Sequence, residues 1–459
     1  MELLIIILLV LLQFVSGFGV LMLLKIYLKP ALLISLSVLI GIGVFSIIPF
    51  LLQLAYVPLT SFNVFASLII VCILLNLNSG KGILQLFNAL KNYRLRMKLY
   101  DIPFLLLISF MVFVSVWRCY YYPPTPRDLT SGPEVIAEYT VKEKTMINSV
   151  FTVDLTTTNN QFKPPFITCL QIIYKYAGFP FGQVWLSVVF IFFLVFLYHV
   201  LKMTIHETIA GMLLVMFIAI PEMYAYTIMA LFDYSNAVFF CLSLYFLFDF
   251  FRNGKTNYFI LSALLMAIAT YIRSETLVLA VFIYGIVLFH HWNQPKFLKN
   301  IIRSGCCFLL PSLFIYFLSI TVYINWYLPS HYTIETLLNK NLLNFSFFYH
   351  RLMSMTTRLL LAGDTVTYYA YFVYLFLFIL ILNIFTRNVL NKTALNWLFA
   401  IFVVYIGLPF IAYLFPLYDL ENSTKRGLFK IFPLMLLFMA NSPLLIYLSD
   451  EIKKWEQTK

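Results

Sequence analysis

Residues 118–183 read RCYYYPPTPRDLTSGPEVIAEYTVKEKTMINSVFTVDLTTTNNQFKPPFITCLQIIYKYAGFPFGQ. This is the longest polar interruption in the chain, and it separates two series of apolar runs. It carries Arg127 and Asp128 among prolines, then Glu134, Glu138 and Glu143 with Lys142 and Lys144, then Asp154 and the segment Lys163-Pro164-Pro165. Outward from it in both directions, runs of about 20 apolar residues recur, each long enough to cross a hydrocarbon layer of about 30 Å. The 459 residues are 62% hydrophobic and only 11% charged, against about 25% charged in a soluble domain. The runs are too long and too uniformly apolar for barrel strands, so the expected fold is an all-α polytopic membrane protein.

The expected spans are 3–24, 31–54, 61–77, 102–121, 184–201, 208–226, 234–251, 257–272, 275–291, 304–327, 367–386, 394–416 and 428–448, about thirteen in all. Lys25, Lys29, Lys81, Lys91, Arg94, Arg252, Lys255, Lys296, Arg387 and Lys453 then fall at alternate connections. The positive-inside bias makes that side cytoplasmic, with the N-terminus outside and the C-terminus inside. About 18 basic and 6 acidic residues lie inside on this count, against about 13 of each outside. The net charge of +12 is thus a property of cytoplasmic loops, and no nucleic-acid partner is indicated. The first run follows only Met1 and Glu2, with no basic segment before it, which fits a retained span and not a cleaved signal.

Three regions follow. Residues 1–80 form an N-terminal accessory bundle of three spans, 81–101 a basic cytoplasmic linker, and 102–450 the working core with the outer loop 118–183; residues 451–459 are a cytoplasmic tail. Within the loop, 134–146 reads as an amphipathic helix with Val135, Ile136, Tyr139 and Met146 on one face and the surface pair Glu138 and Lys142 at i, i+4. A second long outer segment, Pro329 to Asp364, mixes apolar and basic residues at helical spacing and suits the interface. Six cysteines without a CxxC and six histidines without ligand spacing indicate no zinc site or disulfide framework. Tyr120, Tyr121 and Tyr122 stand where an aromatic belt is expected.

Taken singly, the polar residues of the loop have plain readings. Asp128 suits a helix cap or a turn, and Lys163 an interfacial lysine. Their order is more informative: a span, Asp128, an amphipathic helix, Lys163-Pro164-Pro165, a short helix and a second span, then Pro221 to Asp233, then Tyr271-Ile272-Arg273-Ser274-Glu275. This order resembles the membrane glycosyltransferases of the GT-C fold, in the branch of aminoarabinose transferases and protein mannosyltransferases, over roughly residues 102–290. The resemblance implies transfer of a sugar, with inversion, from a polyprenyl-phosphate-linked donor to a lipid, glycan or protein acceptor on the non-cytoplasmic face. It implies Asp128 as the catalytic carboxylate, Asp233 as a second acidic position, and Lys163, Arg273, Lys425 and Arg426 as ligands of the donor phosphate. The family often has a second acidic residue directly after the first. Leu129 stands there, so a divalent metal, if used, would need Asp128 with Glu134.

The chemistry is coherent without the family. A lipid-linked sugar phosphate needs an apolar groove, a cation at headgroup level and a carboxylate to activate the acceptor. A transporter or flippase of lipid-linked saccharides would place ionisable groups near the bilayer midplane; a ligase or polymerase using a diphosphate-linked glycan shares most of these features. The expected location is a bacterial inner membrane.

Overall fold

The computed structural model describes residues 2–91, 98–125, 132–153, 163–291, 297–328, 345–361, 364–385, 390–415 and 420–458. All regular structure among the described residues is helical, the solution open to a chain that must satisfy its backbone within each span. In chain order the longer helices are α1 (Glu2–Leu23), α2 (Pro30–Leu54), α3 (Ser61–Asn76), α4 (Gly80–Lys91), α5 (Ile102–Tyr121), α6 (Pro133–Glu143), α7 (Phe166–Tyr176), α8 (Val184–Lys202), α9 (Glu207–Ile218), α10 (Phe232–Asn253), α11 (Thr256–Ile272), α12 (Thr276–His291), α13 (Phe297–Tyr316), α14 (Phe372–Phe385), α15 (Lys392–Leu414), α16 (Ile431–Asn441) and α17 (Pro443–Gln457).

By length and composition, seven of the described helical stretches are able to cross a membrane, or nine if two bent pairs each count as one span. Shorter apolar helices, α9, α11, α12 and α14, occupy other expected crossings, so the count of thirteen is not reached on length alone. Two boundaries differ from expectation. The stretch 428–448 is not one straight span: it bends by 54° between α16 and α17, where Ser442 caps a new helix that has a proline at its first position. The stretch 208–226 ends as a helix at Ile218, and Pro221 starts a separate short turn. Within the basic stretch after α3, α4 turns away by 86°.

α1 and α2 cross closely. A Cβ at Gly17 would run into the Ser37 carbonyl, and one at Gly41 into that of Gln13, the small-residue packing of helices in lipid. α2 is buried along most of its length, whereas the stretch containing α5 buries almost none. α2 also reaches the loop and core: Gln53 accepts the Met146 N–H at 2.7 Å, and Tyr271 donates to the Ser46 carbonyl at 3.2 Å.

The amphipathic helix of the loop forms as Pro133–Glu143, but its inward face is Glu134, Ile136, Ala137 and Thr140, and Tyr139 is exposed. Glu134 pairs with Lys175 at 2.5 Å and accepts from Gln171, which also accepts from the Trp185 indole. This clamp ties α6 to α7 and α8. Burial raises the Glu134 pKa against the pull of Lys175 and Gln171. Glu134→Ala is expected to leave Lys175 with the Pro180 carbonyl but no counter-ion and cost about 3 kcal/mol, read as a lower thermal midpoint in detergent. An unchanged midpoint would show that the clamp adds nothing.

Candidate active site

The charged cluster begins with a turn. α11 ends at Ile272, Arg273 is extended, and the Thr276 N–H returns to the Arg273 carbonyl at 3.0 Å before α12 starts. Asn236, fully buried on α10, donates to the Ala269 carbonyl at 2.6 Å and to Thr276 Oγ1 at 2.9 Å. It therefore holds both sides of that turn against the first turn of α10, where Asp233 lies. The Arg273 guanidinium meets the Asp233 carboxylate through Nη1 and that of Glu275 through Nε. Arg273, Asp233 and Glu275 are 4%, 3% and 9% exposed, so each charge depends on the others to be tolerated.

Two more elements bring cations. The segment leading into α16 places Arg426 Nη1 at 3.7 Å from Asp233, and on it Lys430, 1% exposed, interacts with Arg273, Glu275 and Lys163. The Lys163-Pro164-Pro165 segment enters α7, and the Phe166 ring packs edge-on against Trp185, Phe239 and Tyr271. That anchor sets Lys163 beside the turn that carries Arg273. Lys163, partly exposed, interacts electrostatically with Arg273, Glu275 and Arg426. Neither Lys163 nor Lys430 makes an ion pair or a hydrogen bond among the described residues. Burial, reinforced by Arg273 and Arg426, brings the Lys163 ammonium down to about 8. Burial would raise Glu275, but the Arg273, Lys163 and Lys430 charges outweigh it and hold the carboxyl at about 2.

With all groups ionised, Lys163, Arg273, Arg426 and Lys430 face Asp233 and Glu275. Two positive charges remain unmatched in a buried place. Such a site favours an anion, and a phosphate above all.

Of the residues singled out in the sequence, Lys163, Asp233, Arg273 and Arg426 converge here. Lys425 is turned elsewhere: its ammonium pairs with Glu222 at 2.7 Å and lies over the Tyr368 ring. Glu134 is engaged with Lys175 and Gln171 in the clamp described above and not with the residues of this cluster. Asp128 lies outside the described residues. Pro133, however, lines the same crevice as Lys163, Thr168 and Phe232, the neighbour of Asp233. No group of three metal-ligating side chains occurs among the described residues. Glu275, Lys430 and Asn236 were not singled out from the sequence. Only Lys430 had a signal, being four residues beyond Arg426 on a helical stretch.

A bundle of apolar helices with a buried, net-cationic cluster at the ends of several of them is that of an integral membrane protein. Residues 164–320 match the family described as dolichyl-phosphate-mannose-protein mannosyltransferase, a family of the GT-C type, and fold and match together indicate a membrane glycosyltransferase of that type. The matched segment begins next to Lys163 and includes Asp233, Arg273 and Glu275. No curated protein matches the chain, and no solved structure does.

Proposed function

We propose that the protein transfers a sugar from a polyprenyl-phosphate-linked donor to a lipid, glycan or protein acceptor at the membrane face that carries Lys163 and Arg273, the non-cytoplasmic face on the basic-residue distribution. The observation that carries this reading is the cluster of Lys163, Arg273, Arg426 and Lys430 around two carboxylates. The donor's phosphodiester carries one negative charge. As the acceptor oxygen attacks the anomeric carbon, the bond from that carbon to the phosphate oxygen breaks. Its electron pair stays on the phosphate, whose charge rises toward minus two. The excess of positive charge, two when Lys163 and Lys430 are both protonated and less as either loses its proton, stabilises that product-like state more than the bound donor.

The acceptor's hydroxyl proton passes to Asp128 in this scheme. Asp233, whose oxygens are engaged by Arg273 and Arg426, is a positioning residue that aims two guanidinium groups. Glu275 has the same role toward Arg273. The buried charges lie in first turns, last turns and an interhelical turn, which suits chemistry at a membrane edge better than transport through the midplane. The direct test is sugar transfer by the purified protein in liposomes from radiolabelled polyprenyl-phosphate sugars. Labelled sugar left wholly on the lipid, with diphosphate-linked donors consumed instead, would overturn the donor assignment.

Lys163 gives this reading a pH signature. Its ammonium is charged below about pH 8 and neutral above, while the donor's phosphodiester stays anionic throughout. Donor KM is therefore expected to rise by up to about 10-fold as pH climbs from 7 to 9, the limit set by titrating one group at about pH 8. In Lys163→Arg the guanidinium stays charged and the rise should vanish. The same rise in both proteins would assign the titration to another group.

A further inference from the structure

A groove of about 630 Å³ opens between α2, α5, α8 and α9, at the opposite end of α8 from the charged cluster. α8 meets the Phe166 anchor at Trp185, and the groove follows its other half, from Ile191 to Lys202. No step of the proposed sugar transfer uses it. Its volume is that of a site for one ligand molecule. Along α5 it runs from Asp101 to Val112, about 16 Å at the rise of an α-helix, or half of a hydrocarbon layer of about 30 Å. One end is polar and the remainder apolar. These are the dimensions of a molecule confined to one leaflet.

The polar end selects the headgroup. Lys202 and Glu207 pair with each other, and Glu207 also takes Lys98 at 3.1 Å. Lys29 and Asp101 remain: both line the groove, and neither makes an ion pair among the described residues. Among the described residues, the Asp101 carboxylate accepts only the Lys98 backbone N–H, at 3.3 Å. Lys29 directly precedes the first turn of α2, whose unpaired N–H groups add to its positive field. His199, also in the lining, leaves a buried ring Nδ1 without a hydrogen-bond partner. One cation and one anion, unpaired with each other at the mouth of a one-leaflet apolar groove, match a phosphate and an amine carried on one headgroup.

We propose that this groove is a specific site for a zwitterionic aminophospholipid of the phosphatidylethanolamine class. Its phosphate lies at Lys29 and the start of α2, its ammonium at Asp101, and an acyl chain lies between α5 and α8. A bound lipid also accounts for how α5, which buries almost none of its apolar length in protein, keeps its place beside α8.

The test is native mass spectrometry of the full chain after equilibration with vesicles of equal parts phosphatidylethanolamine and phosphatidylglycerol. One phosphatidylethanolamine per chain is expected to survive mild delipidation. Lys29→Gln and Asp101→Asn should each lower its retention about fivefold, the effect of one partly solvated ion pair; Asp101→Asn keeps the acceptor for the Lys98 N–H. Ile108→Trp, which fills the groove, should abolish retention. Ile69→Trp, on an exposed face of α3, should leave it unchanged and controls for a misfolded chain. Equal retention of both lipids by all variants would mean an ordinary annular lipid and overturn the site. Preferential phosphatidylglycerol binding indifferent to Asp101→Asn would overturn the headgroup assignment.

Discussion

Arg273→Gln is expected to lower sugar transfer by about 10²- to 10³-fold, the effect of deleting one preorganised donor at a site of developing charge. The same substitution leaves Asp233 and Glu275 buried with fewer partners, at a cost in stability of about 3–5 kcal/mol. A loss of activity alone is therefore ambiguous. Adding Asp233→Asn and Glu275→Gln removes the orphaned carboxylates and should restore much of the thermal midpoint. On the proposed mechanism it should not restore transfer, because the guanidinium assigned to the leaving phosphate is still missing. If the triple variant regained turnover, Arg273 would be a counter-ion for two acids and nothing more. Arg273→Lys separates the roles further. It keeps one charge but not the fork that reaches both carboxylates, so it should fold better than Arg273→Gln and still transfer slowly.

The helices were legible because hydrocarbon imposes one requirement on every span, and the apolar runs record it directly. Their breaks were less so. The bend at Ser442 and the early end of α9 depend on a cap and on Pro443 and Pro221, which interrupt a helix without making the sequence less apolar. In the candidate site, Lys163, Asp233 and Arg273 came from the resemblance, which rests on the order of elements along the chain, and the fold brings them together. Lys425 and Arg426 were read as a pair because they are adjacent. On a helical stretch adjacent residues point about 100° apart, and the structure turns one to Glu222 and the other to Asp233. The residue that shares a side with Arg426 is Lys430, four further on. Glu134 was read as the residue that would join Asp128 on a metal ion. Its partner Lys175 lies on a different helix, and no local pattern connects the two.

Asp128→Asn is expected to reduce kcat by about 10²- to 10⁴-fold while leaving donor KM close to that of the unaltered protein, as removal of a general base should. The case is one of position and chemistry. The chain before Asp128 is held where Gln183 donates to the Tyr122 carbonyl at 2.7 Å and where Arg118 donates to Thr125 at 3.3 Å. After it, Pro133 lies in the crevice with Lys163 and Glu134 in the clamp. Asp233 and Glu275, the carboxylates within the cluster, face arginines. Glu275, held at about 2, is too weak a base to take a hydroxyl proton efficiently near neutral pH. A carboxylate from the loop is then the group suited to the task, and Asp128 is the residue that the resemblance to the GT-C glycosyltransferases implies there. Undiminished turnover by Asp128→Asn would remove it from the mechanism. A chelator separates its two remaining roles. If chelation inactivates the unaltered protein to the level of Asp128→Asn and has no further effect on the variant, Asp128 acts by holding a metal ion. If chelation leaves turnover intact while Asp128→Asn does not, it takes the proton itself.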